Sequence, residues 1–246
     1  MSSSPAGRLS IRALAERDRK ESNGELRTIL LNHLSEGSRD ALLDVRGGTG
    51  QLTETLADVF GWALVLDLDS GKLAYGRGAR PGVGFVRGGA QGIPVADGRI
   101  GTLVSVAAFH HFPDQDRALD EMGRVLKPRG TLLLVEIDPS TIRGRILNFT
   151  ENRLARAGSR FVTPAELLKK VESHGFLDAR LDRTSRGYVV VATRSEAGPF
   201  EPVRTAQRRR DSGSSYGSTA LDRTEALPPA PRVMGRPSSN GQVAIL

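Results

Sequence analysis

Short apolar runs that alternate with helix-period stripes are the feature that most limits how this chain can fold. Residues 41–45, 63–66, 83–86, 103–107 and 131–135 are each four or five residues long and almost wholly apolar. Strands covered on both faces read as continuous runs rather than alternating ones. Between the runs, Leu52, Leu56, Val59 and Phe60 repeat at helical spacing before Gly61, and Ala118, Leu119, Met122 and Val125 do so before Lys127-Pro128-Arg129-Gly130. Alternating β and α units predict an α/β fold, a doubly wound and mostly parallel sheet with helices on both faces. An earlier helix is expected from Leu26, Ile29, Leu30 and Leu34, with Ser22 and Glu25 at capping-box spacing. A later one starts at Thr163-Pro164-Ala165-Glu166 and ends near Gly175. Residues 179–181 and 188–193 read as two last strands, an antiparallel pair at the sheet edge.

Composition changes along the chain. Residues 1–24 form a polar arm, 25–195 the folded domain and 196–246 a basic tail rich in Ser, Gly, Pro and Arg. The tail is too poor in apolar side chains to offset its ordering entropy, so disorder is expected there. The chain has no cysteine, which excludes a disulfide framework, a thiolate metal site and a cysteine nucleophile. No apolar run approaches the roughly 20 residues of a membrane span, and residues 1–7 lack a signal core. The cytoplasm is the expected location. The formal charge of +7 reads first as a solubilising surface, and only second as a nucleic-acid footprint, because no nucleic-acid motif accompanies it.

The chemistry concentrates in Asp44-Val45-Arg46-Gly47-Gly48-Thr49-Gly50, between the first strand and its helix. Open α/β sheets bind ligands at the carboxyl ends of their strands, and small residues there let a ligand approach the backbone. The dinucleotide fingerprint fails, because the sixth residue from Gly48 is Thr53, and the Gly-Lys-Ser/Thr of a P-loop is missing. A nucleoside ligand without a pyrophosphate remains.

Residues 41–193 resemble class I S-adenosylmethionine-dependent methyltransferases, most closely the type 11 small-molecule branch related to quinone-biosynthesis enzymes. The matching pieces are Leu43-Asp44-Val45…Gly48-Thr49-Gly50, Leu66-Asp67-Leu68-Asp69, Ile93-Pro94, Phe109-His110-His111-Phe112 and Arg124-Val125-Leu126-Lys127-Pro128, in the family's order. The resemblance implies a Rossmann-like seven-stranded sheet, mostly parallel with an antiparallel edge strand, and S-adenosyl-L-methionine as cofactor. It implies that Asp44, Gly47, Gly48 and Gly50 hold the methionine end, that Asp67 accepts from the ribose hydroxyls beside Leu68, and that Ala90 and Gln91 border the adenine. Ala107, Ala108 and Phe109 would line the cofactor and face the acceptor. Structural readings stand beside these: Asp44 as a brace of the turn, Asp67 as a helix N-cap, although Asp69 and Ser70 are better placed for that. His110 and His111 are the candidate catalytic bases, against a packing role for at least one of them. No metal site is expected from them, since adjacent residues point apart and no third ligand is evident.

Two positions depart from the family's pattern. Its first loop glycine is Arg46 here, and the acidic residue that meets the adenine amine is Gly89. A left-handed backbone at position 46 would cost an arginine about 1 kcal/mol. Its side chain would either fill the methionine pocket or clamp the cofactor's carboxylate. Substrate choice is expected from a lid segment, residues 138–162. Ile142, Ile146 and Phe149 share a helical face there among Arg143, Arg145, Arg153, Arg156 and Arg160. It reads either as an amphipathic helix covering the core or as a lid over an anionic or aromatic small molecule. The leading expectation is methyl transfer to a small-molecule acceptor. The alternatives are a nucleic-acid methyltransferase, using the basic lid and Arg208-Arg209-Arg210, and a non-catalytic scaffold of the same fold. The sequence leaves the oligomeric state open.

Overall fold

A computed structural model describes residues 23–34, 38–150, 158–184 and 187–196. The polar arm (apart from residues 23 and 24), Ser22 of the capping box, Arg153 and Arg156 of the lid, and the basic tail (apart from residue 196) lie outside the described residues.

Seven strands form one sheet in the order β3-β2-β1-β4-β5-β7-β6. They are β1 (Ala41–Val45), β2 (Trp62–Asp67), β3 (Gly84–Arg87), β4 (Ile100–Val106), β5 (Leu126–Glu136), β6 (Phe176–Arg183) and β7 (Tyr188–Arg194). The first five pair in parallel. β7 runs antiparallel to both of its neighbours, β5 and β6. The reversed strand therefore lies inside the sheet, and β6 takes the edge.

Helices cover both faces. Residues 23–32 form α1, followed by α2 (Gln51–Leu56), α3 (Ser70–Ala79), α4 (Gln115–Val125), α5 (Ile142–Phe149) and α6 (Pro164–Ser173). Successive strand residues point to opposite faces, and the core divides accordingly. Leu43, Leu64, Leu103 and Leu132 pack with Leu119 and Met122 of α4 and Leu167 and Val171 of α6. Leu42, Val104 and Leu133 pack with Leu30 of α1 and Leu52 and Leu56 of α2. α6 begins with the expected capping box: Thr163 accepts from the Glu166 amide, and Glu166 accepts from Thr163 N.

Two of the sequence pieces quoted above turn out to be one structural device. From α4, Arg124 donates to Val95 O (2.9 Å), Ile93 O (2.8 Å) and Asp97 Oδ1 (2.6 Å), while its Nε donates to Glu121 Oε1 (2.8 Å). Glu121 Oε2 accepts in turn from Ile93 N (2.8 Å). The Glu121 hydrogen bond heads the causes that raise the Arg124 pKa further. Ile93 and Val95, tied down this way, are 3% and 5% exposed. Arg124→Ala removes the tie and leaves three loop acceptors to water; it should lower the unfolding free energy by about 2 kcal/mol, as a lower urea midpoint at unchanged m-value.

Candidate functional site

The order of parallel strands reverses between β1 and β4, so the loops after these two strands diverge and leave a crevice at the carboxyl edge of the sheet. The loop after β1 is built from left-handed residues. Arg46, Gly48 and Gly50 have φ of 63°, 60° and 78°. Arg46 N donates to Leu66 O (2.7 Å), which holds the turn against β2. Gly50 N donates to Gly47 O (2.9 Å), closing the turn as α2 begins. Gly47 admits no side chain: a Cβ there would lie 2.5 Å from the Asp44 carboxylate.

Asp44 ends 3% exposed beneath this turn and accepts from Thr53 Oγ1 at 2.6 Å. Burial pushes its pKa up to about 6; the Thr53 hydrogen bond opposes that and the nearby Asp67 charge adds to it. Asp67, last residue of β2, is 4% exposed and faces the same turn. Its Oδ2 accepts from Gly48 N (3.0 Å) and its Oδ1 from Asp69 N (2.9 Å). The N-cap of α3 is Asp69, which accepts from Gly71 N and Lys72 N. Beside it Leu68 stands 55% exposed. A methyl on Gly89 would meet Gln91 Oε1 at 3.4 Å and Leu68 Cδ2 at 3.7 Å, so Leu68, Gly89 and Gln91 share one surface. Arg117 Nε holds Gln91 by its carbonyl (2.8 Å), and Ala90, between Gly89 and Gln91, is buried.

Across the crevice, Ala107 leaves β4 in a left-handed conformation (φ 47°) and is exposed, its amide donating to Val135 O. The next residues turn back over a buried carboxylate. Glu136 Oε1 accepts from Ala108 N (2.9 Å) and Phe109 N (2.7 Å), and Glu136 Oε2 pairs with His110 Nδ1 at 2.6 Å. His110 is 2% exposed, stacked on Phe161 with ring centroids 4.2 Å apart. His111 is half-buried, with Ser159 Oγ 3.1 Å from its Nδ1. The two imidazoles differ accordingly: His110 is built into the wall, and His111 sits at its margin.

The structure thus gathers Asp44, Gly47, Gly48, Gly50 and Asp67 at one turn, Leu68, Ala90 and Gln91 along one wall, and Ala107, His110 and His111 along the other. Sequence reasoning missed Glu136, Ser159 and Phe161. The available signal for Glu136 was a single charge closing an otherwise apolar strand. For the lid, Ile142, Ile146 and Phe149 do share a helical face, but they are 80%, 59% and 59% exposed rather than packed on the core.

Residues 43–134 match the family model described as a methyltransferase domain. The chain is 31% identical over 154 residues to a malonyl-[acyl-carrier protein] O-methyltransferase of Methylococcus capsulatus, covering 60% of this chain and 56% of that protein. It is 31% identical over 126 residues to a ubiquinone/menaquinone biosynthesis C-methyltransferase of Legionella pneumophila, covering 48% and 50%. The chain spans about half the length of these curated relatives. Among solved structures, an S-adenosylmethionine-dependent methyltransferase of Thermotoga maritima, a possible histamine N-methyltransferase, superposes with a TM-score of 0.61 at 19% identity, over 75% of this chain and 97% of that one. The fold is the class I methyltransferase fold, and S-adenosylmethionine is the cofactor expected of it.

Two outcomes follow from this geometry. Arg46→Gly relieves a left-handed arginine and should raise the unfolding free energy by about 1 kcal/mol, read from thermal or urea melts. Asp44 carries a raised pKa in the folded chain, so the folded state holds its proton between about pH 4 and pH 6 while the unfolded state has released it. Stability contributed by this group is therefore lost as pH rises through that window, by about 3 kcal/mol in all. Asp44→Asn, which cannot titrate, should flatten that part of the stability–pH curve whatever its absolute stability.

Proposed function

We propose that residues 25–195 form an S-adenosylmethionine-dependent methyltransferase domain that acts on a small-molecule acceptor by in-line displacement. The observation that carries this reading is Asp67: a buried carboxylate at the end of β2, aimed at the glycine turn, with an exposed leucine beside it. A carboxylate has about four acceptor sites, and the Gly48 and Asp69 amides account for two, which leaves capacity for two ribose hydroxyls. Exposed Leu68 and half-buried Gln91, flanking the Ala90 backbone, offer an apolar surface with one polar edge, the chemistry an adenine ring requires. Gly48 keeps the backbone bare where a methionine moiety would lie, over the turn braced by Asp44. The residues present therefore fit the cofactor.

When bound, S-adenosylmethionine supplies an electrophilic methyl carbon on a sulfonium that is already a good leaving group. The chain's own contribution is then alignment and exclusion of water. Glu136 fixes Ala108, Phe109 and His110, and so sets where the exposed Ala107 stands beside the acceptor. His110 acts as a positioning residue through that bond. His111 is the candidate base for an acceptor that retains its proton, with Ser159 orienting its ring. The segment 138–162 carries five arginines against Asp138 and Glu151, which supports an anionic or aromatic acceptor. Glycine at position 89 withdraws one hydrogen bond from the adenine amine, which weakens cofactor binding by tenfold at most.

Calorimetric titration tests this reading. The wild type should bind S-adenosylmethionine, and Asp67→Ala should bind at least tenfold more weakly, as expected on losing a charged acceptor. Asp67→Asn, which keeps one acceptor oxygen, should fall between. No heat from the wild type at millimolar cofactor would overturn the assignment.

A further inference from the structure

The outer face of α5 is apolar where a surface helix is ordinarily polar. Gly144 is the buried residue, seated on the turn that follows β5: a Cβ there would lie 2.0 Å from Asp138 O. Leu147 and Asn148, one turn further on, are half-buried on the same side. The opposite side carries Ile142, Ile146 and Phe149, at positions i, i+4 and i+7, exposed by 80%, 59% and 59%. Arg145 is exposed at the border of that stripe. The start of the helix is tied down. Thr141 caps it by accepting from Gly144 N, and buried Asp138 accepts from Ser140 N and Oγ and from Arg183 Nη1 (3.1 Å). The stripe is thus held outward by the way the helix is attached.

We infer that this outer face of α5 docks the domain on an anionic lipid surface, with Ile142, Ile146 and Phe149 entering the headgroup region and Arg145 meeting the phosphates. Charge selects this occupant. In the described part of the segment, residues 138–150 and 158–161, the exposed charges are Arg145 and Arg160 and the one carboxylate, Asp138, is buried, so two copies of this face would repel each other, while anionic headgroups attract it. Size agrees. An eight-residue helix is about 12 Å long, too short to supply the roughly 800 Å² per partner of a stable protein interface. A narrow apolar stripe with an arginine at its border is the pattern of helices that lie in a membrane interface. α5 follows the carboxyl end of β5, so docking brings the crevice edge of the sheet close to the lipid. The docking surface goes beyond the methyl-transfer reading and does not depend on it.

Co-sedimentation of the full chain with vesicles of equimolar phosphatidylcholine and phosphatidylglycerol, without cofactor, is the test. The wild type should bind these vesicles, more weakly at high salt and more weakly to pure phosphatidylcholine. The triple variant Ile142→Gln, Ile146→Gln and Phe149→Gln should partition about tenfold less or worse, since it removes most of the apolar area offered to the lipid. Arg145→Glu, which leaves the stripe intact, should lose several-fold on the anionic vesicles alone. Cofactor heat measured separately should be the same for the triple variant and the wild type. Absence of wild-type binding overturns the inference. So does equal binding by the triple variant, which would place lipid contact elsewhere in the chain. A wild-type dimer that the triple variant dissociates, or loss of cofactor binding in that variant, would assign the face to a second copy or to the cofactor site and overturns it equally.

Discussion

Two buried carboxylates hold open the carboxyl edge of the sheet, and the candidate site depends on both. Each reaches from an outer strand to the loop of the inner strand beside it. Asp67, on β2, accepts from Gly48 N in the loop after β1. Glu136, on β5, accepts from Ala108 N and Phe109 N in the loop after β4. Because β1 and β4 are neighbours at the point where strand order reverses, the two braces pull their loops away from one another. Backbone amides of a loop need partners when buried, and an ionised acceptor binds them more strongly than a neutral one. The crevice is therefore a consequence of where two acidic residues end their strands.

Two of the four non-glycine residues with positive φ among the described residues sit at the same edge. Arg46 and Ala107, the first residues beyond β1 and β4, both adopt positive φ without being glycine. Each also donates its amide to the outer neighbouring strand, Arg46 to Leu66 O and Ala107 to Val135 O. The two loops thus leave the sheet in the same manner, by a left-handed step followed by capture on a carboxylate. Local strain of this kind persists where surrounding bonds over-determine it, and here they do. The buried Asp44 adds a second tension, since its ionised form lies near Asp67 under a turn that leaves it little water.

Much of this was legible in the sequence, for physical reasons that also explain the gaps. Strands buried on both faces announce themselves as apolar runs, so the inner strands were found within a few residues of their observed ends. The start of β5 was not, because Lys127-Pro128-Arg129-Gly130 reads as a turn. In the sheet it is an irregularity in register against β4, with Arg129 at φ 61°. α3 escaped notice because its buried side is only Leu73 and Gly76, too little to make a stripe. The antiparallel pairing of the last strands was legible from their proximity in sequence. Insertion of β7 between β5 and β6 was not, since strand order follows from packing of the whole sheet. At the site, the glycine turn and Asp67 follow from local spacing. Glu136 acts on residues 26 to 28 positions away, and no local pattern encodes such a contact.

Periodicity also showed that Ile142, Ile146 and Phe149 share a face, but could not say which way it turns. That direction is set by Gly144, whose missing side chain lets α5 lie against Asp138 O and Pro139. Once the helix is seated on its glycine, the geometry of 3.6 residues per turn leaves the three apolar side chains nowhere to go but outward. Charge at the carboxyl edge separates in the same inside–outside sense. Asp44, Asp67 and Glu136 are buried within it, whereas Arg87, Arg145 and Arg160 are exposed around it. An acidic interior suits a ligand that carries a sulfonium and an ammonium; a basic, apolar rim suits an anionic, amphiphilic neighbour. The same edge of the sheet can therefore present opposite electrostatic faces to a cationic cofactor and to a negatively charged surface without either interaction competing for the other's residues.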